Sequence, residues 1–111
     1  MDTKQFFEKF SADQQKMQKQ MPDMVAGFSG MFGKIMKDGA ISLLEKELIA
    51  LGIAVAVKCK PCIRGHIKKA LDAGATKEQI LEAASVAVMM GGGPAFTHIP
   101  VVIDTLEALN A

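Results

Sequence analysis

The chain contains 111 residues, a length that fits one domain able to bury a hydrophobic core without disulfide or metal support. Its 13 Lys and Arg residues nearly balance 12 Asp and Glu residues, so it lacks the basic excess typical of nucleic-acid-binding domains. Half of the residues are hydrophobic but only 5% are aromatic, and this aliphatic, Met-rich composition favours helices and indicates an oligomer.

Helical patterns run from end to end, and no stretch alternates in the manner of a strand. A polar N-terminal helix is predicted over residues 2–20, with Asp2 or Thr3 as its cap. Pro22 suits the first turn of a second helix, whose apolar residues recur at a spacing of three and four until Asp38.

Capping boxes, prolines and glycines divide the remainder into four further helices. These are predicted from Ser42 to about Val57, from Cys59 to Ala73, from Thr76 to Gly91, and from Pro94 to the C-terminus with a kink near Pro100. We therefore predict an all-α fold, a single domain over 1–111 built as a bundle of about six helices with its core over about 21–110.

The first 15 residues mix charges and lack the apolar segment of a secretory signal, so we expect a cytoplasmic protein. Residues 83–103 carry no formal charge, but glycines and two prolines interrupt them, which predicts two buried helical pieces rather than a membrane span. In a reducing compartment, a C-x-x-C pair is more often catalytic or metal-binding than a structural staple.

Cys59, Cys62 and His66 fall within about 60° of one another on a helical wheel. They therefore share one face of the first two turns of the fourth helix. The helix N-terminus, the imidazole and five cations between residues 58 and 71 would all lower the pKa of a thiol there. These cations are Lys58, Lys60, Arg64, Lys68 and Lys69, and the alternative interpretation is that they form a solvated helix face.

Glu47 lies in the middle of an apolar face of the third helix, where a carboxylate is costly unless it has a partner. If the third and fourth helices form an antiparallel hairpin, that partner is His66 or a thiol. Such a pair would act as a proton relay. His98, near the start of the sixth helix, is a secondary candidate for the site.

The joint pattern, Glu47, eleven residues, Cys59-Lys60-Pro61-Cys62, three residues and His66, resembles the signature of alkylhydroperoxidase D-like proteins of the carboxymuconolactone decarboxylase superfamily. Further similarity lies in KELIALGIAVAV (46–57), LDAGATKEQILEA (71–83) and MGGGPA (90–95). The resemblance covers about residues 40–110. This chain is shorter than the fuller members of the family, which leaves its substrate and reductant open.

The resemblance implies an all-helical fold, assembly into trimers or hexamers, and thiol-dependent reduction of peroxides without a bound cofactor. It implies that Cys62 attacks the peroxide, that Cys59 is its disulfide partner, and that Glu47 and His66 relay the proton. It also implies a dithiol reductant, such as a lipoyl-bearing protein. Helix geometry alone leaves the attacking residue open, because Cys59 lies closer to the helix N-terminus.

Three functions remain as hypotheses. The first is a dithiol peroxidase or disulfide reductase that protects against hydroperoxides. The second is a decarboxylase or lactone-processing lyase like the superfamily's namesake, which does not depend on the cysteine pair. The third is a structural or zinc-binding helical module in which Cys59, Cys62, His66 and Glu47 are the ligands.

Overall fold

The computed structural model describes all 111 residues and contains seven helices and no strand. The helices are α1 (Thr3–Gln20), α2 (Pro22–Ile35), α3 (Leu43–Ala56), α4 (Lys60–Asp72), α5 (Lys77–Gly91), α6 (Gly93–Phe96) and α7 (Ile99–Ala108). The predicted all-α class is confirmed. None of these helices combines the length and the apolar character that crossing a bilayer requires.

Three helices begin at capping boxes, in which the cap side chain and the side chain three residues later each accept the other's backbone N–H. Ser42 and Thr76 cap α3 and α5 in this way, as the sequence predicts. Asp2, not Thr3, caps α1, and Thr3 is buried in its first turn instead. The capping box at Ser42 therefore fixes where α3, the helix that carries Glu47, begins.

The predicted sixth helix is wrong in its continuity, because the chain forms two separate helices, α6 and α7. Proline lacks a backbone N–H, and its ring clashes with the carbonyl four residues earlier. Pro100 therefore cannot continue α6 and instead occupies the first turn of α7. His98 becomes the residue that precedes α7, outside both helices.

The second helix ends at Ile35, three residues before the predicted Asp38. The Lys46 ammonium donates a hydrogen bond of 2.8 Å to the Ile35 carbonyl oxygen, one of the terminal carbonyls that have no partner within the helix. A side chain from α3 thus satisfies the end of α2, a contact that the local pattern of α2 does not contain.

The core is built around α3, which packs against both α4 and α5. Its largest fully buried aliphatic residues come from α3, α4, α5 and α7, and they are Leu51, Val55, Ile63, Ile67, Ile80, Val102 and Leu106. By contrast, α2 has no buried residue and packs mainly on α1. The predicted site residues on α3 and α4 therefore lie on two helices that pack closely against each other.

Candidate active site

The chain passes from α3 to α4 through a three-residue junction in which all three backbone N–H groups are hydrogen-bonded. Lys58 adopts a left-handed conformation with φ of 60°. Its N–H donates to the Val55 carbonyl at 3.1 Å, and the Cys59 N–H donates to the Ala54 carbonyl at 3.0 Å. This pair of bonds is a Schellman motif, which ends α3 and fixes the backbone of Cys59.

Cys59 is also the N-terminal cap of α4. Its Sγ accepts a hydrogen bond of 3.3 Å from the Cys62 N–H, one of the amides that have no partner within the helix. The two cysteines form a disulfide, with Cα atoms 5.2 Å apart. Cys62 is an exposed residue and Cys59 is only partly exposed.

Glu47 and His66 meet across the α3–α4 hairpin. One carboxylate oxygen of Glu47 lies 2.8 Å from Nδ1 of His66. The Glu47 side chain is only 2% exposed, whereas the His66 side chain is 22% exposed. The prediction that the apolar face of α3 carries a carboxylate needing a partner is confirmed, and that partner is the imidazole rather than a thiol.

This contact determines which imidazole nitrogen is available for chemistry. A carboxylate only accepts hydrogen bonds, so the proton between the two groups is assigned to Nδ1 of His66. In the neutral ring Nε2 is then left with a free lone pair. A base oriented by a buried carboxylate is the arrangement that general acid–base catalysis requires.

Other predicted contacts are absent. No hydrogen bond joins His66 to either sulfur in the disulfide form. No three His, Cys, Asp or Glu side chains are arranged to hold a metal ion, so the four ligands of the zinc hypothesis do not converge. Nδ1 of His98 lies 2.8 Å from the Pro94 carbonyl oxygen, a local contact one turn away in the chain.

The five cations near the cysteines divide into two groups. Three have partners within the chain: Arg64 lies over the Phe6 ring, Lys69 lies over the Phe32 ring, and Lys68 pairs with Asp72. The other two, Lys58 and Lys60, flank Cys59 in the sequence, are exposed and form no ion pair. Only these two cations are free at the site.

Sequence reasoning did not identify the left-handed turn at Lys58. The signal was present, because one helix ends near Val57 and the next is capped by Cys59. The one residue between them then has to turn the chain by adopting a left-handed backbone conformation, which favours glycine. The residue at this position is a lysine, and a lysine in a sequence does not indicate a left-handed conformation as a glycine does.

A family model confirms the resemblance that the motif carries. Residues 22–99 match the model of the carboxymuconolactone decarboxylase family. The chain belongs to this family. The matched residues include α2 to α6 and every predicted site residue.

Solved structures of this family share the whole fold. A carboxymuconolactone decarboxylase family protein from Legionella pneumophila superposes with a TM-score of 0.92 at 33% identity, covering 98% of this chain and 97% of that one. A family protein from Thermotoga maritima, for which a part in an antioxidative response has been suggested, gives a TM-score of 0.83 at 25% identity. That alignment covers 96% of this chain and 90% of the other.

The curated relatives include a protein of known class. The alkyl hydroperoxide reductase AhpD of Corynebacterium kroppenstedtii is 32% identical over 63 residues, which make up 57% of this chain and 36% of that protein. The aligned residues thus span about a third of that AhpD. It is an AhpD-like member of the carboxymuconolactone decarboxylase family.

Proposed function

We propose that this protein is a dithiol peroxidase that reduces hydroperoxides with the Cys59–Cys62 pair. The observation that carries the proposal is the Glu47–His66 contact at 2.8 Å on the helix that begins at the cysteine pair, with His66 one turn after Cys62 on α4. The similarity to AhpD and to the Thermotoga protein supports the same chemistry. We also propose a cytoplasmic location, where thiol pools keep such a pair cycling.

The reaction begins from the reduced pair. His66, oriented by Glu47, takes the proton of the Cys62 thiol directly or through a water molecule. The thiolate attacks one oxygen of the hydroperoxide, the O–O bond breaks, and the departing alkoxide takes a proton and leaves as an alcohol. Cys62 is then a sulfenic acid. Cys59 attacks the Cys62 sulfur, water leaves, and a disulfide forms.

Assignment of the attacking sulfur to Cys62 rests on exposure. Cys62 is exposed on the first turn of α4 and lies four residues before His66, on the same helix face. Cys59 is the less exposed residue of the pair, and its sulfur accepts the Cys62 N–H, which stabilises negative charge on it. Cys59 is therefore suited to condense with the oxidised Cys62 and to leave again when a dithiol reduces the disulfide.

The test is oxidation of an added dithiol that depends on a hydroperoxide, measured with the purified protein and with Cys59→Ser and Cys62→Ser. We expect both variants to lose turnover, and Cys62→Ser also to lose the first reaction with peroxide. Undiminished turnover in both variants would contradict the proposal. The same assay with a disulfide in place of the hydroperoxide measures the related disulfide-reductase activity.

A second candidate is a lyase that acts on a lactone, because the matching family carries the name of carboxymuconolactone decarboxylase. Such chemistry does not need the two thiols. Conversion of a carboxymuconolactone by a Cys59→Ser/Cys62→Ser double variant would favour this function over the peroxidase.

We further propose that the chain assembles as a homotrimer or homohexamer. A groove between α3 and α5 is lined almost entirely by aliphatic side chains, among them Ile49, Ile53 and Val86, each more than half exposed in the single chain. Along α2, four further large apolar side chains are about half exposed or more: Met24, Phe28, Met31 and Ile35. Exposed apolar surface on this scale is typical of subunit interfaces.

A further inference from the structure

Two lysines at the α3–α4 junction are not explained by the fold or by the peroxide reaction. Lys58 and Lys60 lie on either side of Cys59, both are exposed, and neither has an acidic partner. The three cations further along α4 are held by Phe6, Asp72 and Phe32. The two free charges are thus the ones nearest to the disulfide in the sequence.

The backbone at Lys58 strengthens this contrast. It occupies the left-handed position that ends α3, with φ of 60°. Any residue with a Cβ is disfavoured in this conformation, and glycine is the usual choice. A lysine here brings a positive charge beside Cys59 at a cost in backbone free energy.

The surroundings of the disulfide offer little else for recognition. The five main grooves of the surface have neither Cys59 nor Cys62 in their walls. Cys62 lies on the exposed first turn of α4. A thiol that approaches Cys62 therefore meets an exposed helix turn, and the charges of Lys58 and Lys60 are a feature of this surface that can distinguish one reductant from another.

We propose that Lys58 and Lys60 bind the anionic group of the thiol reductant that regenerates the pair, and so select reductants with a negative charge close to their sulfur. The inference rests on the redox role proposed for Cys59 and Cys62. It concerns the reductive half of the cycle, which can be measured without peroxide.

The step is a thiol–disulfide exchange. A reductant thiolate attacks the Cys62 sulfur, the Cys59–Cys62 bond breaks, and Cys59 leaves as a thiolate that the Cys62 N–H stabilises. A second reductant thiolate then attacks the reductant sulfur of the mixed disulfide and releases Cys62 as a thiolate. The protein gains two electrons, and the reductant ends as its own disulfide.

The test compares 2-mercaptoethanesulfonate with 2-mercaptoethanol, two small thiols that differ in one negative charge. The rate at which each thiol reduces the Cys59–Cys62 disulfide is measured by mass spectrometry after alkylation of the released thiols. This rate is divided by the concentration of the reductant's thiolate form. Each is divided by the rate of the same thiol with the uncharged 2-hydroxyethyl disulfide. At low ionic strength, a separation of about 7 Å between each cation and the extra charge would correspond to a preference for the sulfonate of about three- to sevenfold.

We expect this preference to disappear in Lys58→Gln/Lys60→Gln and in the wild type at high salt, where the charges are screened. The matched control is Lys34→Gln/Lys77→Gln, which removes the same net charge from exposed lysines on other helices. That control retains the preference. The single variants, Lys58→Gln and Lys60→Gln, each lose part of it.

Four results would overturn the proposal. They are a wild-type preference near one, a preference that survives in Lys58→Gln/Lys60→Gln, an equal loss in the control pair, and an equal slowing of both thiols in the test pair. The last would mean that the cations act on the leaving Cys59 thiolate. Because no peroxide is present, a protein that fails as a peroxidase but shows the preference would still support this inference.

Discussion

At the scale of single residues, the site depends on one buried carboxylate. Glu47 is 2% exposed and its only hydrogen-bond partner in the chain is His66. The neighbouring Glu45 belongs to the capping box of α3 and is exposed. Two glutamates two residues apart therefore have different roles: Glu45 stabilises the start of α3, and Glu47 orients the imidazole of His66.

Glu47→Gln keeps the shape of the side chain but replaces the carboxylate that orients His66 and keeps its proton on Nδ1 with a neutral amide. We expect turnover with hydroperoxide to fall by about 10²- to 10⁴-fold, the usual contribution of general acid–base groups, with little change in the thermal midpoint. Steady-state kinetics beside a melting curve checks this. Glu82→Gln, an exposed glutamate on α5, is the control that should keep full activity.

The Glu47–His66 pair also gives a stability prediction. His66→Leu leaves a buried carboxylate without a partner, and we expect the free energy of unfolding to drop by about 1–3 kcal/mol. Replacing both residues in Glu47→Leu/His66→Leu removes the unpaired group, so most of that loss should return. Urea unfolding of the single and the double variant measures this difference. Equal stability of the two would show that the unpaired carboxylate is not the cause of the destabilisation.

At the scale of elements, the α3–α4 junction combines a helix end and a helix start in three residues. The C-terminal motif of α3 runs through Lys58 and delivers Cys59 as the cap of α4. Rigid helices on both sides hold the pair in place. We attribute the position of the cysteines to this junction rather than to any loop.

The strained turn predicts a gain in stability on substitution. Lys58→Gly should raise the free energy of unfolding by about 1 kcal/mol, because glycine adopts positive φ without the Cβ penalty. Asn110→Gly, at the other non-glycine residue with positive φ, should show a smaller gain, since asparagine tolerates this region better. A Lys58→Gly variant less stable than wild type would contradict this explanation of the turn.

The start of α3 gives a further prediction. Ser42 accepts the Glu45 N–H at 3.1 Å, and loss of such a cap costs about 0.5–2 kcal/mol. Ser42→Ala should therefore lower the denaturation midpoint, while Ser11→Ala, on the exposed surface of α1, should leave it unchanged. Equal midpoints for the two variants would mean that the capping box adds nothing measurable.

Most of the elements were predictable because their signals are local. Caps at Ser42 and Thr76, and the helical spacing of Cys59, Cys62 and His66, involve residues a few positions apart. Glu47 and its need for a partner were also predictable, because a lone charge on an apolar face is visible in the sequence. That partner could be narrowed only to an imidazole or a thiol, since the choice depends on how two helices pack.

The remaining features required the structure. The end of α2 depends on Lys46 from another helix, and the partners of the α4 cations come from α1 and α2 as well as from α4 itself. The break between α6 and α7 had a local cause in Pro100, but sequence alone does not separate a kink from a full interruption. Contacts between distant residues determine the end of α2 and the partners of Arg64 and Lys69.

At the scale of the whole molecule, apolar surface is distributed unevenly. The core joins α3, α4, α5 and α7, whereas α2 buries nothing and the outer faces of α3 and α5 leave large aliphatic residues in solvent. The apolar residues whose abundance indicates an oligomer thus lie at defined places on the surface, along α2 and on the outer faces of α3 and α5. We expect the α3–α5 groove to lie in a subunit interface.

Ile53→Glu tests that location, because it puts a charge on the α3–α5 groove. Sedimentation velocity should give three or six times the mass of one chain for the wild type and a shift to smaller species for the variant. Asp104→Lys, an exposed change on α7, serves as a control that should leave the assembly intact. A wild-type monomer would contradict the proposed assembly.

The most direct test of the central claim is one turnover of the reduced protein with a single equivalent of an alkyl hydroperoxide, read by intact mass and peptide mapping. The proposed redox pair predicts a loss of about 2 Da, located to a peptide that joins Cys59 to Cys62, with one alcohol released per chain. An unchanged mass with both thiols free, or oxygen retained on one cysteine without a disulfide, would contradict it.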